Sequence, residues 1–141
     1  MKATHVLTAL GLAAATAALA TQAAQAGDVA AGEKLFARCK ACHMIANGDD
    51  VIYKGGKTGP NLYGVVGRPV GSEEDFRYGK GFDEAREAGL VWTEEDIAAY
   101  IADPTAWIRE KTGDKSARSN MSFKLRKGGE DVAAYLASVG K

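Results

Sequence analysis

Cysteine and histidine are scarce in this chain. Its 141 residues hold two of each. A disulfide between Cys39 and Cys42 would staple almost nothing, so a disulfide scaffold is excluded. A zinc site normally takes four Cys or His ligands, and too few are present. Excess charge is missing too. Eighteen Lys and Arg balance eighteen Asp and Glu, so net charge selects no partner, and none is expected to be nucleic acid. Beyond residue 26 no stretch is long and apolar enough to span a bilayer. There is no repeat and no low-complexity tract past the N-terminal segment.

That N-terminal segment reads as a cleaved secretory signal over residues 1–26. Lys2 starts it, Val6 to Ala20 is apolar and uncharged, and Ala24-Gln25-Ala26 fits the small-x-small cleavage pattern. The remaining Gly27–Lys141 is the size of one domain. Export points to a bacterial periplasm.

Both cysteines fall in Cys39-Lys40-Ala41-Cys42-His43. C-x-x-C-H is the covalent haem attachment signature. Two thiols on one helical turn can each add to a vinyl group of one haem, forming thioethers. The adjoining imidazole becomes the proximal iron ligand. A thioredoxin-like dithiol would need a βαβ context, whereas the surrounding pattern is helical.

The second axial ligand follows by elimination. No other histidine lies beyond residue 26, and the methionines are Met1, Met44 and Met121. Met1 leaves with the signal. Met44 adjoins His43 and cannot reach the opposite haem face. Met121 remains, in Ser119-Asn120-Met121-Ser122-Phe123. The alternatives are a core methionine filling a gap, with the iron left open or bound by lysine or water.

Elsewhere the pattern is all-α with long loops. Asp28 is placed to cap a helix running to about Cys39, with Gly32, Leu35 and Phe36 on one face. Residues 46–60 read as a loop with an extended piece at Val51 to Tyr53. Thr93, with Asp96 three residues on, opens a helix carrying Ile97, Tyr100 and Ile101. Asp103-Pro104 ends it, and Thr105 to Lys111 forms another short helix. Thr112 to Asn120 is loop-like. A last helix spans Glu130 to about Val139, with Val132, Tyr135, Leu136 and Val139 on its apolar face.

These residues carry a family resemblance. The chain resembles class I c-type cytochromes, in particular the bacterial cytochrome c2 / cytochrome c-550 group, over nearly all of Gly27–Lys141. The matching stretches are Cys39 to His43, Lys57-Thr58-Gly59-Pro60-Asn61-Leu62-Tyr63-Gly64-Val65-Val66-Gly67-Arg68, Met121 with Phe123, and Val132 to Leu136. The resemblance implies a single-domain all-α fold of several helices and long loops around one covalent haem c. It implies that Met121 is the distal ligand and that the Pro60 carbonyl bonds the other ring nitrogen of His43. Arg68, Tyr78 and Trp92 would surround a buried propionate, and Tyr100 would lie near the Met121 sulfur. Gly32 and Phe36 would meet Val132 and Tyr135. Two loops, 43–60 and 111–120, are longer than in the shortest members, as in long-form c2 proteins.

The resulting expectation is a soluble, monomeric periplasmic carrier of single electrons, cycling between Fe(II) and Fe(III), and not an enzyme. The resemblance implies a cytochrome bc1 complex as donor and a photosynthetic reaction centre or terminal oxidase as acceptor. The alternative is a haem c protein with a labile sixth site, acting as a gas sensor or peroxidase; a haem-free thiol or metal module is a third. Acidic residues crowd Glu73 to Asp96 and basic ones Arg109 to Lys127. This dipole could steer partners, though ordinary solvated surface reads the same way. Partners are expected to dock transiently on the basic face, which also takes in Arg38, Lys40 and Lys57.

Overall fold

The computed structural model describes residues 26–140, so the expected signal, apart from Ala26, lies outside the described residues. Five helices and one small hairpin follow in the order α1 (Val29–Phe36), β1 (Ile45–Asn47), β2 (Asp50–Tyr53), α2 (Phe82–Glu87), α3 (Glu94–Ala102), α4 (Pro104–Thr112) and α5 (Gly129–Val139).

Local chemistry sets most of these boundaries. Asp28 Oδ1 accepts the Ala30 and Ala31 amides at 2.9 and 3.0 Å, giving α1 its N-cap. α1 stops at Phe36, short of the expected Cys39. Tighter bonds take over there, Arg38 N–H to Leu35 O and Cys39 N–H to Phe36 O, at 3.0 and 2.8 Å. Thr93 Oγ1 accepts the Asp96 amide at 3.0 Å and opens α3. Asp103 ends α3 and caps α4, whose first residue is Pro104, a position that needs no amide donor.

Two elements differ from the sequence reading. Residues 45–47 pair antiparallel with 50–53, so the long loop contains a hairpin rather than one extended piece. Phe82–Glu87 forms an unanticipated six-residue helix with Phe82 and Ala85 buried on one side.

α1 and α5 cross closely. A side chain at Gly32 would strike the Asp131 carbonyl, so only glycine permits this approach. Beside it the Phe36 and Tyr135 rings sit 5.6 Å apart, and the Asp28 amide donates to Asp131 Oδ1 at 2.8 Å. α3 packs on the same α5. On the other side, Gly67 N–H bonds Trp92 O and Trp92 N–H bonds Arg68 O, at 2.7 and 2.9 Å. The buried core runs from Phe36 and Val132 through Ile97 and Ile101 to Trp92, Trp107 and Ile108.

Candidate functional site

One cavity of about 290 Å³ opens in the middle of this core. The turn after α1 forms its first wall. His43 N–H reaches back to Cys39 O at 3.0 Å, so Cys39, Cys42 and His43 sit on one turn, and all three line the cavity. Cys39 and Cys42 are not joined in a disulfide. Burial pushes the Cys39 thiol up to about 11, against a lesser opposing pull from Arg38.

The loop after the hairpin runs back along this turn. Gly56 N–H bonds Lys40 O and Gly59 N–H bonds Cys42 O, both at 2.8 Å, and Leu62 N–H bonds Met44 O at 3.0 Å. Asn61 clamps β1, accepting the Ala46 amide at 3.1 Å and donating to its carbonyl at 2.8 Å. The register so fixed aims Pro60 O at the imidazole, and His43 Nδ1–H donates to it at 2.8 Å. Gly59 lies against the ring face, where any β-carbon would collide with it. Burial moves the His43 pKa below its ordinary value, with the Pro60 bond opposing. The neutral ring with its proton on Nδ1 leaves the Nε2 lone pair available to a metal.

A polar edge follows. Arg68 donates to Asn61 O at 2.8 Å and pairs with Glu73 at 2.8 Å, while the Glu73 amide donates to the Tyr78 hydroxyl at 3.1 Å. Burial raises the Tyr78 pKa. Trp92 stacks on Trp107 at 4.7 Å and meets Tyr100 edge-on at 5.1 Å.

The far wall is the segment around Met121. Ser119 Oγ accepts the Met121 amide at 3.0 Å and lies 2.6 Å from the Tyr100 hydroxyl. Burial pushes Tyr100 up to about 12, against the Ser119 bond. Phe123 closes this side at the surface, with the Arg38 guanidinium 5.4 Å from its ring centre.

Cys39, Cys42, His43, Pro60, Arg68, Tyr78, Trp92, Tyr100, Met121 and Phe123, all ten residues singled out in the sequence, line this cavity. Met44 does not. Sequence reasoning missed Phe76, Phe82 and Ser119, which also line it, and placed Arg38, another lining residue, only on the docking face. Ile97 and Ile101 were legible only as the apolar stripe of α3. Ser119, two residues before Met121, carries no signal of its own.

The walls suit a flat iron porphyrin. They offer two thiols on one turn, an imidazole with one nitrogen fixed and the other free, and a thioether across the space. Most of the lining is apolar, with a cationic edge at Arg68 for acidic substituents. This arrangement, on five helices, is that of a class I c-type cytochrome.

Relatives narrow the class. The chain is 55% identical over 135 residues to cytochrome c2 of Rhodobacter capsulatus, covering 94% of this chain and 98% of that one. It is 56% identical over 117 residues to cytochrome c-550 of Paracoccus pantotrophus, covering 80% and 87%. The solved structure of the Rhodobacter capsulatus cytochrome c2 superposes with a TM-score of 0.79 at 57% identity, over 82% of this chain and all of that one. Ferric cytochrome c-550 of Paracoccus versutus gives 0.78 at 52% identity, over 82% and 99%. No family model matches the chain. It belongs to the cytochrome c2 / cytochrome c-550 family of haem electron carriers and carries one covalent haem c.

Proposed function

We propose that this chain is a periplasmic one-electron shuttle between a cytochrome bc1 complex and a photosynthetic reaction centre or terminal oxidase, and not an enzyme. Residues 1–26 would be removed as its export signal, leaving 27–141 as a single cytochrome domain. The observation that carries the reading is the sharing of one cavity by Cys39, Cys42, His43 and Met121, with Met44 outside it. Bound haem supplies the Fe(II)/Fe(III) couple. His43 Nε2 and the Met121 sulfur would occupy the two axial positions, leaving no site on the metal for substrate. A methionine ligand favours the ferrous state relative to a second histidine. Arg68, Tyr78 and Trp92 would surround a buried propionate, with Arg68 as the positive charge among them. Apolar walls keep water out and limit reorganisation as charge changes.

Docking is proposed over the cavity mouth, where Arg38 and Phe123 line the cavity and are exposed; Lys40 and Lys57 are exposed and adjoin the lining residues Cys39 and Thr58 in sequence. The basic stretch contributes less than its composition suggests. Lys111 is paired with Asp96 and Lys124 with Asp103, each at 2.7 Å. Lys115, Arg118, Arg126 and Lys127 are exposed and enter no ion pair among the described residues.

Mass spectrometry of the denatured exported protein tests the core of the reading. The expected mass is the polypeptide from Gly27 plus one haem that acidified organic solvent cannot extract. Extractable haem, or a bare disulfide mass, refutes it. Carbon monoxide binding to the native reduced protein would instead favour the gas-sensor or peroxidase reading.

A further inference from the structure

The loop 113–120 leads directly into Met121 and is held on two sides. On the cavity side Ser119 bonds the Met121 amide and Tyr100, as above, and its own amide donates to Thr105 Oγ1 at 3.3 Å. On the outer side the loop lies against residues 77–80. Arg118 N–H bonds Lys80 O at 2.9 Å, and Asn120 Nδ2 donates to Arg77 O at 3.1 Å. The approach is close enough that a side chain at Gly79 would strike the Arg118 carbonyl. Tyr78, Gly79, Ser119, Asn120 and Met121 all line the cavity, so these two loops together form its wall on the Met121 side.

One cluster joins the loops through side chains at their outer ends. The Lys80 ammonium meets Asp114 Oδ2 at 3.2 Å and also donates to Ser116 Oγ. Asp114 Oδ1 accepts the Ser116 amide and hydroxyl, each at 2.7 Å. None of these three residues touches the cavity. Their bonds span 34 and 36 positions of sequence, joining segments that share no helix or strand. We propose that Lys80, acting through Asp114 and Ser116, is a positioning residue for Met121, a clasp that holds the two loops shut and sets how often the Met121 side opens. The proposal rests on Met121 being the axial ligand. The clasp sits in solvent, with the Lys80 side chain 57% exposed, so it is modest in strength and sensitive to salt.

The test is the rate at which imidazole enters the ferric holoprotein, followed in the visible spectrum above the ligand's own pKa, where it is uncharged and indifferent to protein charge. Lys80→Gln and Asp114→Asn should each raise the rate about two- to fivefold, the range expected for an exposed ion pair. The double variant should be no faster than Lys80→Gln, which already removes both side-chain bonds between the loops. High salt should raise the wild-type rate by a similar factor and leave Lys80→Gln unmoved. Asp83→Asn, which breaks the Arg86–Asp83 pair elsewhere on the surface, should change nothing. Wild-type rates in Lys80→Gln, or additive effects in the double variant, overturn the clasp. Met121→Ala tests the reading beneath it and should bind imidazole fastest, without salt dependence. If Met121→Ala binds no faster than wild type, the ligand assignment fails and the clasp falls with it.

Discussion

His43 and Pro60 lie 17 positions apart and meet through a 2.8 Å hydrogen bond from Nδ1–H to the carbonyl oxygen. This bond fixes the ring's tautomer and rotation at once, and it makes the opposite nitrogen a better donor to a metal. Gly59 completes the arrangement by packing against the ring face with no β-carbon to collide with it.

Substituting Gly59 should therefore disturb the proximal side selectively. Gly59→Val places a branched side chain where the imidazole sits, an overpacking that costs about 1–3 kcal/mol. Urea unfolding of the holoprotein should show that loss, and the visible spectrum should shift. Gly67→Ala is a useful contrast. It meets no atom within 4 Å but has a φ of +85°, so it should cost stability without a spectral change. Equal spectra for wild type and Gly59→Val would contradict the placement.

Met121→Ala should keep its covalent haem, bind carbon monoxide when reduced, and show a lower reduction potential. Met44→Ala should do none of the last two. Circular dichroism separates ligand loss from unfolding. The assignment fails if the two variants exchange behaviours.

Association with an acidic redox partner should slow as salt rises, since the Debye length falls from about 30 Å at 0.01 M to about 10 Å at 0.1 M. Charge reversal at Lys127 should slow it further, with little change in potential, and more than reversal at Glu84 or Glu94. Lys127 is the cleaner probe than Lys124, because reversing Lys124 also breaks its pair with Asp103. Rates independent of salt would remove the basic docking face.

Acid should weaken the fold partly through Asp114. Its bonds from Ser116, and then from Lys80, hold its pKa at about 2 against an ordinary 3.8. A depressed carboxylate stabilises the folded state above the ordinary value, and that contribution is lost as pH falls toward the folded one. Asp114→Asn should show a shallower decline in urea-measured stability between about pH 4 and pH 2. Identical slopes in both proteins would show that the bonds do not persist in solution.

Much of this was legible in the chain because it is local. The Cys39 to His43 motif is contiguous, and Asp28 and Thr93 announce helix starts through side chains two or three residues from the amides they bind; Asp103, read only as the end of α3, caps α4 in the same way. What escaped was either short or distant. α2 has six residues and no capping side chain; only Asp83 and Glu84 in its first turn and Gly89 after its end hint at it. β1 depends on pairing with β2 and has no alternation of its own. Pairing of Lys111 with Asp96 and of Lys124 with Asp103 crosses 15 and 21 positions, so charge counting along the chain could not see that the two signs partly cancel.

The contact of α1 with α5 bears on the order in which this molecule comes together. Asp28 and Asp131 are 103 positions apart, so joining them closes nearly the whole domain into one loop, at an entropic cost of roughly 4 kcal/mol beyond a constant by (3/2)RT ln n. Such a contact weighs toward slow folding. Val132 and Leu136 of α5 are also cavity walls. A chain emerging from its N-terminus therefore presents Cys39 and Cys42 long before it owns Val132 and Leu136, which complete the cavity those two residues line.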